Sequence, residues 1–431
     1  MSIVSLKSSN LANSKSKFDS YTSYLVLYFF IGMASMPFFI GNEFLFIFFI
    51  PSFFLFIIKK KKIDNFIIIY SVIFLIIFLA QSIYYQVIEL NIILGYFFRI
   101  LYAYITIKII GDKISQYYVN IIYLFTLVSF VFYFPSLIFY DEVNNFLTNL
   151  STLIEPYQLN NPGRTHIIIY TFGLTYNEDG GFVESLIPRN SGPFWEPGGF
   201  GVFLILAIIF ELIENNRLLT KKNIIFFIGI FTTLSTGTFF VFFALITFYS
   251  FTLKGNYKIL VIAIILLSGI WVYINSFFLG QKVEKDITSM SATELKFAPR
   301  TRFVSAQLDL IDFLNNPILG RGRFESTRFD VKESKGEAFL THRNNGTTNM
   351  LVEFGIFGFF FFFYTMFKSF RAYCLSRKFN IKFAFYFVII VLLLGFSQMI
   401  FNKPLFIGLS FMFIDLVPRK TTKTIQLNRT G

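Results

Sequence analysis

The chain has 431 residues, 55% of them hydrophobic and 64 of them Phe, and a net charge of +13. Its mean hydropathy of +0.63 means more apolar surface than a water-soluble fold can bury, and its repeated apolar runs of about 20 residues predict membrane-spanning helices. The basic residues are scattered between those runs rather than gathered on one polar face, which excludes nucleic-acid binding. The single cysteine, Cys374, excludes an internal disulfide and a cysteine-based metal site.

Residues 1–20 are polar and read as a cytoplasmic tail ahead of a signal-anchor span, with no cleavage-like site after it. Apolar runs follow at 21–39, 44–58, 66–83, 91–110 and 117–139, then at 198–213, 224–253 and 258–279, and finally at 348–369, 382–401 and 404–417. The connectors Lys59–Lys62, Lys113, Arg217–Lys222, Lys254–Lys258, Arg371–Lys382 and Arg419–Lys423 are basic and belong on the inner side. Run 224–253 decides the arrangement. Its length of about 30 residues is long for one span and short for two, and both flanks are basic. Two short helices turning at Ser235-Thr236-Gly237-Thr238 keep every basic connector inside. The predicted fold is an all-α polytopic membrane protein of about twelve membrane segments. Its single membrane domain covers 21–417, with a cytoplasmic tail at 418–431 and long outward loops at 141–197 and 280–347. Loops of that length are uncommon unless they have a function.

Arginine concentrates in those two loops as Arg164, Arg189, Arg300, Arg302, Arg321, Arg323, Arg328 and Arg343. A planar guanidinium makes bidentate bonds to phosphate and keeps its charge, so an outward arginine excess suggests a polyanionic or pyrophosphate ligand; loop ion pairs with Asp141, Glu142, Asp179, Glu184, Glu284, Asp286 and Asp330 are the plainer alternative. One phrase occurs twice. Arg189-Asn190-Ser191-Gly192 and Arg343-Asn344-Asn345-Gly346 each precede an apolar run, each Arg has a Gly twelve positions on (Gly201, Gly355), and a Glu lies between (Glu196, Glu353). Two cations at the mouths of two spans can hold one anionic group.

Both histidines, His166 and His342, adjoin these arginines. A neighbouring cation biases an imidazole towards its neutral, base-competent form; each is equally a loop residue with one structural hydrogen bond, and two histidines make no zinc site. Trp195 is an interfacial anchor or a platform for a sugar ring. Glu196 is a candidate base or a partner of Arg189. Arg99 falls mid-span, where charge is costly unless it faces an interior partner such as Glu89 or a watery cavity. Lys108 and Lys403 lie near span ends, where their amines can snorkel.

Four stretches resemble the O-antigen polymerase and O-antigen ligase superfamily of bacterial inner-membrane glycosyltransferases. They are Ser191-Gly192-Pro193-Phe194-Trp195-Glu196-Pro197, Thr233-Leu234-Ser235-Thr236-Gly237-Thr238, Asn316-Pro317-Ile318-Leu319-Gly320-Arg321-Gly322, and Asn344-Asn345-Gly346 leading to Leu351-Val352-Glu353-Phe354-Gly355-Ile356-Phe357-Gly358. The resemblance implies transfer of a glycan from undecaprenyl pyrophosphate to a sugar hydroxyl on the periplasmic face of the inner membrane, without metal or cofactor, beside a flippase and a chain-length regulator of the same pathway. Arg189 and Arg343 inherit the role of substrate-binding arms. Arg164, His166, Trp195, Arg300, Arg302, Asn345 and Arg99 are the further candidates for contacting the glycan or its carrier, with His342 or Glu196 as the base. Relatives often carry Ser-Arg where this chain has Ser235-Thr236. Ligases place a His about nine residues before the Glu, where this chain has Asn344 and His342 lies two earlier. These departures favour polymerase over ligase. A flippase would carry charge along several spans and short outer loops, the reverse of what is seen.

Overall fold

The computed structural model describes residues 2–153, 164–173, 175–176, 182–183, 188–253, 302–324, 327, 344–413 and 416. In chain order its helices are α1 (Ser2–Ser35), α2 (Asn42–Ile58), α3 (Asn65–Tyr85), α4 (Leu90–Ile110), α5 (Ile114–Ser136) and α6 (Tyr140–Ser151). After two small β-hairpins come α7 (Pro197–Asn215), α8 (Lys221–Thr233) and α9 (Thr236–Thr252). The last are α10 (Arg302–Asn315), α11 (Gly346–Ser376), α12 (Phe383–Ser397) and α13 (Pro404–Gly408). Four helical stretches are long and apolar enough to cross a membrane: Asn65–Tyr85, Leu90–Ser136, Pro197–Asn215 and Gly346–Ser376. The second is α4 and α5 joined through a turn at Gly111–Lys113. Helices α2 and α3 leave Phe54, Ile58, Ile69 and Ile76 exposed, an outward apolar surface that water would penalise and lipid tails would not.

The helix at the centre is α7, apolar on every side, and every residue from Gly198 to Ile213 is buried. It packs against α5, α8 and α9. Its first turn is glycine-rich for a reason of space: a Cβ on Gly201 would lie 2.0 Å from Thr238 Oγ1. At the opposite end of α7, Glu214 and Arg377 form a buried ion pair (Oε1–Nε 2.8 Å). Ser115 (2.7 Å) and Tyr373 (3.0 Å) also donate to that carboxylate. One carboxylate therefore ties α5, α7 and α11 together, and its charge is compensated where burial would otherwise be costly.

The expected hairpin is present. Helices of 13 and 17 residues, α8 and α9, meet at Leu234, which takes the left-handed conformation (φ 45°). Two features depart from the all-α expectation or go beyond it. Within 141–197, strands Arg164–Ile167 (β1) and Tyr170–Gly173 (β2) pair antiparallel with His166 opposite Thr171, and Thr175–Tyr176 (β3) pairs with Phe182–Val183 (β4). The expected span at 348–369 is interrupted at Gly355 (φ 62°, ψ −173°), and residues 316–324 thread along the break. There the Arg321 N–H donates to Val352 O (2.7 Å), Gly322 N–H to Glu353 O (3.1 Å) and Ile356 N–H to Pro317 O (2.9 Å). Gln81 of α3 adds bonds to Leu319 O (2.6 Å) and Glu353 O (2.8 Å). The carbonyls and amides freed by the broken helix are thus re-paired inside the protein, as irregular backbone among membrane helices requires.

A candidate site at the break between α8 and α9

Residues 188–197 are pinned from four directions, and Asn190 is the pin. It is fully buried. Its Nδ2 donates to Ser129 Oγ of α5 and Thr232 Oγ1 of α8, both at 2.9 Å, and its backbone N–H donates to Thr232 O at 3.0 Å. Its Oδ1 accepts from Gly192 N–H at 2.9 Å. Gly192 has φ +53°, which suits glycine, and its carbonyl accepts from Thr171 N–H of β2 at 2.7 Å. The Trp195 N–H donates to Ser35 O at the end of α1 (2.9 Å). Asn190→Ala should cost about 2 kcal/mol, because it leaves a buried amide N–H and two hydroxyls short of a partner; a thermal midpoint in detergent unchanged from wild type would refute the assignment.

This scaffold presents Arg189, half-buried, whose Nε donates to Thr233 O at 3.2 Å. Arg189 therefore lies against the last carbonyls of α8, where a cation is favoured. Seven residues on, Glu196 precedes α7. Its carboxylate caps no helix N–H; it accepts a hydrogen bond from Gln398 Nε2. Around them, close packing is made possible by glycines. A Cβ on Gly198 would lie 2.6 Å from Gln398 Nε2, 3.4 Å from Ser235 Oγ and 3.5 Å from Glu196 Oε1. A Cβ on Gly237 would lie 3.6 Å from Arg302 Nη1 and 2.9 Å from Ser397 Cβ. Glu196, Gln398, Ser235 and Arg302 thus gather at the turn between α8 and α9, next to Arg189. The first turns of α7 and α9 open onto the same place without side-chain caps, and their free N–H groups add positive potential.

The other candidates divide. His166, 3% exposed, stacks on Trp195 (centroids 5.5 Å apart, 19° between planes), and its Nδ1 is 3.2 Å from Thr171 Oγ1. One face of Trp195 is therefore already covered by imidazole. Arg164 opens β1. Asn345 is buried as the N-cap of α11, its Oδ1 accepting from Thr347 and Thr348 N–H at 3.1 Å each, and its Nδ2 reaches Arg302 O at 3.5 Å. Gly346 follows because a Cβ there would lie 2.5 Å from Gln398 O. Asn190 and Gly192 in the first copy, and Asn345 and Gly346 in the second, are therefore committed to structure. Arg300, His342 and Arg343 fall outside the described residues.

The O-antigen ligase family model matches residues 223–363. That match supports the O-antigen polymerase and ligase superfamily, and with it a membrane enzyme of the glycosyltransferase type, without separating the two branches. No curated protein matches the chain.

The family region takes in α8, α9, α10 and the broken part of α11, so Arg302, Ser235 and the threaded segment lie inside it, while Arg189, Glu196 and Gln398 reach it from outside. Gln398 was missed because a lone Gln after an apolar run carries no local signal. Arg321 and Arg323 read as loop arginines. Inside the matched stretch Arg321 Nε lies 3.8 Å from buried Asp312, and Arg323 Nε lies 3.5 Å from Glu353. The partner of Arg99 is Asn42, whose Oδ1 accepts from Nη2 at 2.9 Å, in place of the expected Glu89. Lys108 pairs with Asp64, in place of snorkelling.

Proposed function

We propose that the protein is an O-antigen polymerase, transferring a glycan from undecaprenyl pyrophosphate to the sugar hydroxyl of another lipid-linked repeat unit. The reading rests on one observation: a carboxylate, Glu196, is held by Gln398 beside the α8–α9 turn, which Arg189 meets at Thr233 and Arg302 at Gly237. Guanidinium groups suit a departing pyrophosphate, and a fixed carboxylate suits an incoming hydroxyl. In the transfer, Glu196 or His342 takes the hydroxyl proton while the oxygen bonds to the donor's anomeric carbon. The carbon–oxygen bond to pyrophosphate breaks, and undecaprenyl pyrophosphate leaves with the electron pair. Arg189 and Arg343, with Arg302 and Arg300, offset the charge that develops on it. The accompanying topology is twelve membrane segments in the bacterial inner membrane, both termini cytoplasmic, with the site facing the periplasm. The partners are the lipid-linked substrate, the bilayer, and a flippase and chain-length regulator of the same pathway.

Reconstitution of the purified chain in liposomes with lipid-linked repeat units tests this. Lengthening of the glycan without net transbilayer movement is the expected result; movement without lengthening identifies a flippase. The second reading, a ligase onto lipid A-core, is equally compatible with the family match. Gene deletion separates the two: loss of a polymerase leaves one capped repeat unit on the surface glycolipid, and loss of a ligase leaves none.

A further inference from the structure

At the end of α7 opposite Glu196, roughly 28 Å along the helix, a cavity of about 380 Å³ lies between α5, α7 and the start of α8. That volume falls in the range of about 300–1,000 Å³ typical of small-molecule sites. The lining is polar throughout: Gln116, Asn120, Glu211, Glu214, Asn215 and Lys222. Its two carboxylates differ. Glu214 is paired with Arg377 and accepts from Ser115, Tyr373 and, at Oε2, from Gln116 Nε2 (3.2 Å). Glu211 is 8% exposed, and its carboxylate has neither an ion pair nor a hydrogen bond among the described residues. A buried carboxylate is seldom left so without a ligand or water. The amides around it are turned one way. Gln116 donates to Glu214, Asn215 Nδ2 donates to the backbone carbonyl of Glu211 (3.2 Å), and Asn120 Nδ2 donates to Tyr24 Oη (2.7 Å) while its Oδ1 accepts from Lys222 Nζ (2.7 Å). Carboxylate and carbonyl only accept and an ammonium only donates, so these partners fix which end of each amide is oxygen. Gln116 Oε1 and Asn215 Oδ1 accept no hydrogen bond among the described residues. The wall therefore offers acceptors, while its cation, Lys222, is held at Asn120.

We propose that this cavity binds the primary ammonium group of a small amine, with Glu211 as its counter-ion. Such a group brings one positive charge and three N–H donors, which match the Glu211 carboxylate and the amide oxygens of Gln116 and Asn215. The charge-assisted bond to Glu211 is the strongest of the three. A metal ion matches less well, because no group of three His, Cys, Asp or Glu side chains gathers there among the described residues and such ions take several oxygen ligands. A quaternary ammonium has the charge without the donors, and its usual partners are aromatic faces, which this lining lacks. The basic stretch Arg217–Lys222 adjoins this end of α7. The proposed topology puts that stretch in the cytoplasm, so the amine is a cytosolic one. Glu196 and Arg189 lie at the other end of the helix, and the two sites are distinct.

The test is calorimetric titration of the full chain in nanodiscs of zwitterionic lipid, at about 0.15 M salt, where exposed charges are screened. One arm uses 1,4-diaminobutane and a second glucosamine, both carrying a primary ammonium group; a third uses tetramethylammonium, which has the charge and no N–H. Saturable binding in at least one of the first two arms is expected, with a raised thermal midpoint, and the arm that binds tells an alkylamine from an amino sugar. Tetramethylammonium should bind about tenfold more weakly or not at all. Glu211→Gln keeps the size and removes the charge, and should weaken binding about tenfold or more; Glu211→Asp should weaken it by less. Asn215→Leu, at the exposed edge, should weaken it about threefold. No binding of either amine, tetramethylammonium binding as tightly as the amines, or unchanged affinity in Glu211→Gln overturns the proposal. If Glu211→Gln fails to fold, the tetramethylammonium arm and Asn215→Leu decide it, and unchanged affinity in Asn215→Leu then overturns it. The readout needs no turnover, so it stands or falls separately from the polymerase reading.

Discussion

Gly355→Ala is expected to cost about 4 kcal/mol or more, the range of large, mechanism-specific losses, and to remove most of the folded protein from detergent extracts. Two causes act together. Gly355 has φ +62°, and a Cβ there would lie 2.2 Å from Ile318 O and 2.7 Å from Gly320 N. Those neighbours are backbone atoms, which cannot rotate aside as a side chain can. The same crossing is tight from the other side: Gly320 has φ +71°, and its Cβ would lie 2.5 Å from both Gly355 N and Val352 O. Gly320→Ala should therefore be about as damaging. Gly111→Ala is the control, since its φ is +72° but nothing lies within 4 Å of the added Cβ; it should cost only about 1–2 kcal/mol, the price of backbone strain alone. The measurement is the yield of monodisperse protein and its thermal midpoint. Equal losses at Gly111 and Gly355 would remove the crossing from the explanation.

Arg189→Ala should lower glycan lengthening by about 10²–10³-fold, the usual consequence of removing a donor that stabilises developing negative charge, and leave surface glycan as single repeat units. Arg189 also bonds Thr233 O, so a folding defect has to be separated from a chemical one. Arg189→Lys keeps a cation at that carbonyl and should retain the thermal midpoint while losing most of the rate, because an ammonium cannot make the bidentate contact. Glu196→Gln should retain the fold, since an amide oxygen can still accept from Gln398, and should lose about 10²–10⁴ in rate if Glu196 takes the proton. Wild-type ladders from both Arg189→Ala and Glu196→Gln would remove this site from the reaction.

The α8–α9 hairpin was legible because length and flanking lysines are local signals. Run 224–253 is long for one span and short for two, and Lys221, Lys222 and Lys254 at its two ends favour a pair of short helices. The repeated Arg-Asn-x-Gly phrase was legible as a pattern but not as a mechanism. In the first copy Asn190 ties its segment to α5 and α8, and Gly192 needs positive φ. In the second Asn345 caps a helix and Gly346 makes room for Gln398 O. Similar letters serve different constraints because a short polar side chain and a missing Cβ solve several backbone problems. The small β-hairpins were not legible, since strands of two to four residues are too short for alternation to register.

By itself, then, the sequence determined a membrane-embedded helical chain, the short hairpin, and the positions of Arg189 and Glu196 at the mouth of a buried helix. All of these follow from local hydropathy, charge and motif order. Only the tertiary structure decided that Gln398 holds Glu196, that residues 316–324 thread a broken helix, and that Arg323 meets Glu353 beside Tyr96. Those groups are separated by up to some two hundred and fifty residues along the chain. What joins them is the demand of buried backbone and buried charge for partners, which packing satisfies in space and which no local stretch of sequence records.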